Sequence, residues 1–166
     1  MLQLVKIQPQ QAQIAMDIIE DARAYLKATG INQWQAGYPD FPQITKDIQG
    51  DNAYFITEEN VILGYVYVDF APHPAYEGIE GQWGDGVYGV IHRLTMGHAG
   101  RGRGLTPQVF ALVEGKLKEG GIEIARVDAL EDNETLIHVL QKNGFVHRGQ
   151  LHTANGIRMA WDKALV

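Results

Sequence analysis

The first hydrophobic positions alternate: over Leu2–Ile7, Leu2 and Leu4 fall on one side of an extended chain, as in a half-buried strand. Beyond Pro9, a residue suited to a first helical turn, the period lengthens. Ile14, Ile18, Ala22 and Tyr25/Leu26 recur at helical spacing, and Gly30 supplies a stop. An aromatic, proline-bearing stretch from Trp34 to Pro42 precedes a short helix over Gln43–Gln49. The β-rich runs Ala53–Thr57 and Val61–Asp69 flank Glu58-Glu59-Asn60 and read as a hairpin. Residues 71–86 hold Pro72, Pro74 and four glycines, which predicts a loop; one that long is usually functional or mobile.

Val87–Met96 is the next strand, and Leu105–Glu119 a helix with Val109, Leu112, Val113 and Leu117 on its apolar face. Ile124–Ala129 reads as a strand, and Asp132–Asn143 as a helix capped by Asp132 or Asn133 and closed by Gly144. A last hairpin pairs Phe145–Thr153 with Ile157–Asp162 around Ala154-Asn155-Gly156. The order is β-α-α-β-β-β-α-β-α-β-β. Hairpins require antiparallel pairing, while each strand–helix–strand passage permits a parallel crossover. The expected fold is α/β (α+β): a single mixed, largely antiparallel twisted sheet with helices on both faces, in one domain over 1–166.

Composition narrows the class. A chain of 166 residues, 45% of them hydrophobic, is long enough for one core. The apolar runs are broken by Gly64, Asp69 or Arg93, and Met1–Ile7 lacks the basic-then-apolar order of a signal peptide. A soluble, cytoplasmic protein is expected. The absence of cysteine excludes disulfides, thiolate metal sites and a cysteine nucleophile. The histidines show neither His-x-His nor HExxH spacing, so no metal is expected. A net charge of −6 argues against nucleic acid or an anionic membrane as partner and is compatible with an amine substrate. A homodimer is left open.

The chemistry concentrates in Gly100-Arg101-Gly102-Arg103-Gly104-Leu105-Thr106-Pro107, between a strand and a helix. Glycines allow positive φ and close backbone approach. A helix start offers unpaired N–H groups and the positive end of its dipole. Arg101 and Arg103 add planar cationic forks, and Thr106-Pro107 reads as an N-cap followed by a first-turn proline. Such a turn suits a phosphate or pyrophosphate. It is no Walker loop, because Arg103-Gly104 follows Gly97–Gly102 where Lys-Ser/Thr is needed. Nor is it a dinucleotide fingerprint, which would follow the first strand. An RNA-binding Arg-Gly segment is disfavoured by the net charge. A turn that merely caps the helix is the plainer alternative.

Arg101-Gly102-Arg103-Gly104-Leu105-Thr106 resembles the coenzyme A-binding motif of the GCN5-related N-acetyltransferases, departing from it at Thr106, where Gly or Ala is usual. That family's second hallmark, a strand, an Asn-led helix and a closing Gly-Phe, resembles Ile124–Ala129, Asn133 and Asn143-Gly144-Phe145. The order of elements is similar as well. The resemblance implies an acetyl-CoA-dependent N-acetyltransferase acting on the primary amine of a small molecule, peptide or protein by direct attack on the thioester. Gly102–Thr106, flanked by Arg101 and with Arg103, Gly104 and Leu105 inside the turn, would hold the pyrophosphate. The backbone of Leu94, Thr95 and Met96 would pair with the pantetheine arm, and Asn133 would touch the cofactor.

Acyl transfer to an amine needs a neutral nucleophile, a stabilised oxyanion and a proton for the departing thiolate. Many relatives supply that proton from a tyrosine; Leu140 stands there and cannot. His92 is the candidate base, on a strand that carries bases in some relatives. Simple alternation sets it in phase with Leu94 and Met96, and imidazole titrates near neutrality. A histidine merely bonded within the sheet is the structural alternative. Arg93 faces the other way and is expected to pair with a carboxylate, and His138 to lie at the surface. Trp34, Tyr76 and Trp83 fall in loops where relatives bind the acceptor, and would form an apolar or cation–π wall for an amine; ordinary packing is the alternative. A non-catalytic acyl-CoA sensor is the competing function, suggested by Leu140.

Overall fold

A computed structural model describes residues 1–166. The chain runs β1 (Leu2–Lys6), a 3-10 turn (Pro9–Gln11), α1 (Ala12–Ala28), α2 (Phe41–Gln49), β2 (Ala53–Glu58), β3 (Val61–Asp69) and α3 (Pro74–Glu77). It continues through β4 (Glu80–Gly81), β5 (Tyr88–Met96), α4 (Thr106–Glu119), β6 (Ile124–Ala129), α5 (Glu134–Lys142), β7 (Val146–Thr153) and β8 (Gly156–Ala164). The strands form one mixed sheet of eight, in the order β1-β2-β3-β5-β6-β8-β7-β4. β5 and β6 pair in parallel, whereas β1–β2, β2–β3, β4–β7, β6–β8 and β7–β8 are antiparallel. No helix is long and apolar enough to cross a membrane.

The chain forms two compact units. The first comprises Met1–Val68 and His92–Leu112, the second Asp69–Ile91 and Val113–Val166.

In the first unit, Ile7, Ala15, Met16, Ile19, Ile44, Ile48, Phe55 and Tyr65 share one core. The inward stripe of α1 is Ala12, Ala15, Met16, Ile19 and Ala22, so the predicted apolar face is turned. Ile14 is 45% exposed and Tyr25 46%. Small alanines occupy the helical phase that packs inward, and weighting only bulky residues misplaces it. Helix α2 begins at Phe41, ahead of the expected Gln43, because the Asp40 side chain accepts the Gln43 N–H at 3.0 Å and Pro42 sits in the first turn. Gly64 on β3 lets the backbone of β5 approach: a Cβ there would lie 2.4 Å from the Thr95 carbonyl oxygen.

Arg93 sits in the left-handed region, φ 53°, in the middle of β5. A single residue of that hand in a strand interrupts the pleat as a bulge does. The simple alternation that set His92 in phase with Leu94 and Met96 therefore does not hold across Arg93, and Leu94–Met96 are all half-buried without alternation.

In the second unit, Tyr76, Val90, Leu151 and Ala160 form the core, with Ile79, Trp83 and Tyr88 packed on it. The segment expected as an irregular loop contains α3 and β4, and Glu80 and Gly81 pair with Gln150 and Gly149 of β7. Asn133, rather than Asp132, caps α5, its side chain accepting the Leu136 N–H at 3.1 Å. The helix closes with Gly144 at φ 88° and a bond from the Phe145 N–H to the Leu140 carbonyl. Thr153 pairs directly with Gly156, so the hairpin loop is only Ala154-Asn155.

Candidate functional site

The glycine turn is built from β5 outward. The Gly97 N–H donates to the Leu63 carbonyl at 2.7 Å, and the N–H groups of Gly100 and Arg101 then fold back onto the Gly97 carbonyl at 3.1 and 3.0 Å. Gly102 and Gly104 follow at φ 76° and 70°, and a Cβ at either would meet nothing within 4 Å. Glycine is needed here for backbone handedness, and the side that a Cβ would fill is open. Helix α4 starts one residue later than expected: the Leu105 carbonyl accepts the Val109 N–H at 3.0 Å, which makes Leu105 the N-cap and Thr106 the first helical residue. The N–H groups of Thr106 and Gln108 precede the first intrahelical donor, and Pro107 has none. The turn leads through two left-handed glycines into a positive helix end with unpaired N–H groups, a fit for a diphosphate.

Both arginines of the turn already have carboxylate partners. Arg101 donates to Asp21 at 2.6 Å and to the Met96 carbonyl at 3.1 Å, with its guanidinium 4.3 Å over the Tyr25 ring. It ties the turn to α1 and to the end of β5. Arg103 donates to Glu58 at 2.7 Å, and that bond holds the exposed Glu58 carboxyl below its ordinary pKa. Attraction for an anion therefore falls chiefly to the backbone and the helix end.

His92 is half-buried on β5, its ring centroid 6.0 Å from that of Tyr67. Arg93 does pair with a carboxylate. It donates to both oxygens of Asp47, at 2.7 and 2.6 Å, and to the Tyr38 hydroxyl at 2.7 Å. Asp47, only 2% exposed, also accepts from Tyr65 at 2.6 Å and Gln43 at 3.0 Å. Burial opposes the charge on Arg93, but Asp47 outweighs it and lifts the guanidinium above its ordinary range. Burial, then the Asp47 charge, pushes the Tyr65 hydroxyl far above a normal phenol. Trp34 packs against the core of this unit, and Arg23 donates to the carbonyls of Trp34, Tyr38 and Pro39, fixing the segment that carries it.

In the second unit Tyr76 has no exposed surface, so it cannot line an open wall as expected. Its hydroxyl donates to Asp128 at 2.6 Å, and Asp128 also pairs with Arg158 at 3.1 Å. The Trp83 indole N–H donates to the Tyr76 carbonyl at 2.9 Å, and the two rings stack at 5.0 Å. The cation that Trp83 meets is the protein's own: the Arg126 guanidinium lies 4.3 Å from its ring and 3.7 Å from that of Tyr88. Asn133 is buried and engaged as a helix cap. Leu140 is fully buried and offers no acid, while His138 is exposed.

Sequence reasoning missed Asp47, Tyr38 and Arg126. The signals were faint but present. Asp47 shares the inward helical phase of Ile44 and Ile48, and Arg126 alternates into the same strand face as Asp128.

The model of the "Acetyltransferase (GNAT) family" matches residues 18–145. A GNAT-family acetyltransferase structure from Streptococcus agalactiae superposes with a TM-score of 0.86 at 31% identity, covering 98% of this chain and 95% of that one. One from Listeria monocytogenes gives 0.79 at 22% identity over 99% and 95%. A ribosomal L7/L12 α-N-protein acetyltransferase in complex with coenzyme A gives 0.68 at 16% identity over 99% and 94%, a likeness of fold alone. Among curated proteins nothing matches the chain.

Proposed function

The chain belongs to the GNAT family of acetyltransferases, and we propose that it moves the acetyl group of acetyl-CoA to the primary amine of a small molecule or peptide, as one domain spanning its full length. The observation that carries this is the open, left-handed Gly102/Gly104 turn leading from β5 into α4. Backbone donors of Gly102–Thr106 would hold the diphosphate, with Arg101 clamping the turn from behind. The backbone of Leu94, Thr95 and Met96 would receive the pantetheine arm, and Asn133 would contact the cofactor. Trp34 and Trp83 are assigned to the acceptor side, with Tyr76 fixing Trp83 from the core. The protein acts in the cytoplasm.

In the reaction the amine lone pair attacks the thioester carbonyl, a C–N bond forms, the C–S bond breaks, and the amine proton must leave. His92 is assigned as base from its place on β5, beside Arg93, whose backbone is left-handed and whose side chain the Asp47 ion pair holds. With Leu140 at the position of the usual acid, the thiolate takes its proton from solvent.

Two measurements test this reading. Saturating acetyl-CoA should raise the melting temperature, a ligand at a hundred times its dissociation constant adding about 2.7 kcal/mol. Thiol release with a panel of amines should then exceed the rate in their absence. His92→Ala should slow turnover by roughly 10²–10⁴-fold with CoA affinity retained. Stabilisation without thiol release from any amine would favour a sensor that binds acyl-CoA. No stabilisation would remove both readings.

A further inference from the structure

Arg126 is built into the second unit in a way that none of the proposed acetyl-transfer roles uses. It lies on β6 and is 8% exposed. Two aromatic rings hold it, Tyr88 at 3.7 Å and Trp83 at 4.3 Å from its central carbon. Both rings are themselves pinned. The Tyr88 hydroxyl accepts the His73 N–H at 2.8 Å, and the Trp83 N–H donates to the Tyr76 carbonyl at 2.9 Å. Yet no carboxylate or carbonyl of the protein bonds the guanidinium, and its Nε is buried with no partner.

The neighbouring arginines each hold a carboxylate, although the Arg158 Nε is likewise buried without a partner. Arg148 pairs with Asp162 at 2.7 Å, and Arg158 with Asp128 at 3.1 Å. The cluster thus sets three guanidinium groups against two carboxylates, and Arg126 carries the excess charge. Stripping water from a cation is costly, and here burial lowers the pKa of Arg126 by more than the neighbouring Asp162, bonded to Arg148, raises it. A guanidinium fixed between rings keeps its N–H edge oriented for a planar, two-oxygen anion. One unmatched positive charge is neutralised by a monoanion, whereas a phosphate dianion would leave a second negative charge uncompensated at a buried site.

We propose that Arg126, gripped by Trp83 and Tyr88, recognises a carboxylate on the acceptor, so that the acetylated amine belongs to an amino acid or another molecule bearing both groups. This rests on the acetyl-transfer reading only in taking the ligand to be the acceptor. Trp83 then acts by orienting Arg126, rather than by stacking on the substrate amine.

The full chain tests the site directly. The Nε–H signal of Arg126, assigned by through-bond correlation, is followed by NMR during titration with propionate, inorganic phosphate or chloride at fixed ionic strength. Propionate should shift it saturably and chloride should not. No saturable shift with propionate overturns the site, and an equal response to phosphate overturns its assignment to carboxylates. Thiol release is then measured for amino acids against their carboxamides. The acid should be favoured by about ten- to a hundredfold in kcat/KM, and Arg126→Gln should bring that ratio near one. A ratio untouched by the substitution overturns the acceptor role. Turnover of neither member alongside a propionate shift would overturn the acceptor role, while the acetyl-transfer reading would still be decided by the wider amine panel.

Discussion

Asp47 shows how much one buried carboxylate can organise. It accepts from Gln43, Tyr65 and twice from Arg93, and Arg93 is the residue whose left-handed backbone breaks the pleat of β5. Asp47→Ala should therefore cost about 3–5 kcal/mol in denaturant unfolding, because it strands a buried guanidinium. Replacing both Asp47 and Arg93 with alanine should cost clearly less than the two single losses added together. Additive losses would show that the pair does not act as a unit. The Asp47 cluster and the Tyr76–Asp128 pair of the second unit both predict alkaline behaviour. Burial first, then a neighbouring aspartate, raises the hydroxyl pKa of Tyr65 and of Tyr76 well above that of a free phenol. Their folded pKa values exceed the unfolded one, so their contribution is complete below about pH 10 and is lost as pH rises beyond it. A spectrophotometric titration should find these two of the seven tyrosines protonated until the chain unfolds. Their ionisation in the folded protein would contradict the burial. None of this could be read from residue types, because Asp47 resembles a surface residue of a short helix until its inward phase is weighed.

Among the elements, strands and helices with strong periodicity were legible, and so was the strand–glycine turn–helix segment, since glycine spacing and a first-turn proline act locally. Two features were not. The stripe of α1 combines Met16 and Ile19 with Ala12, Ala15 and Ala22, whose small side chains give a weak signal. The left-handed backbone at Arg93 accompanies an ion pair with a residue 46 positions away, and alternation cannot see it. The expected phase of His92 with Leu94 and Met96 failed for that reason. The turn also makes a testable electrostatic link to β2. Arg103 holds Glu58 below its ordinary pKa, so this group's stabilisation is present above the unfolded carboxyl range and is lost as pH falls through the folded value. In Arg103→Ala, the carboxyl carbon of Glu58 followed by NMR should titrate at a higher pH than in the parent. An unshifted titration would mean that the ion pair does not persist in solution.

At the scale of the whole molecule, the mixed and largely antiparallel sheet was legible from element order, because hairpins and crossovers leave few ways to pair the seven expected strands; the eighth, β4, was not foreseen. The placing of aromatic residues was not. Tyr76 and Trp83 sit in a stretch rich in glycine and proline, yet α3 and β4 order that stretch and bury Tyr76 against Asp128. The proposed function hinges on the Gly102–Thr106 turn being the diphosphate cradle of an acetyltransferase. A valine at position 104 would be forced into a left-handed backbone at φ 70°, and its side chain would fill the open face of the turn. Calorimetric titration of coenzyme A into the parent chain and into Gly104→Val, with folding of both checked by circular dichroism, tests that claim most directly. One saturable site in the parent and at least about tenfold weaker binding in the folded variant, roughly 1.4 kcal/mol, is the expected result. Equal affinity in the two, or no binding by the parent, would contradict it.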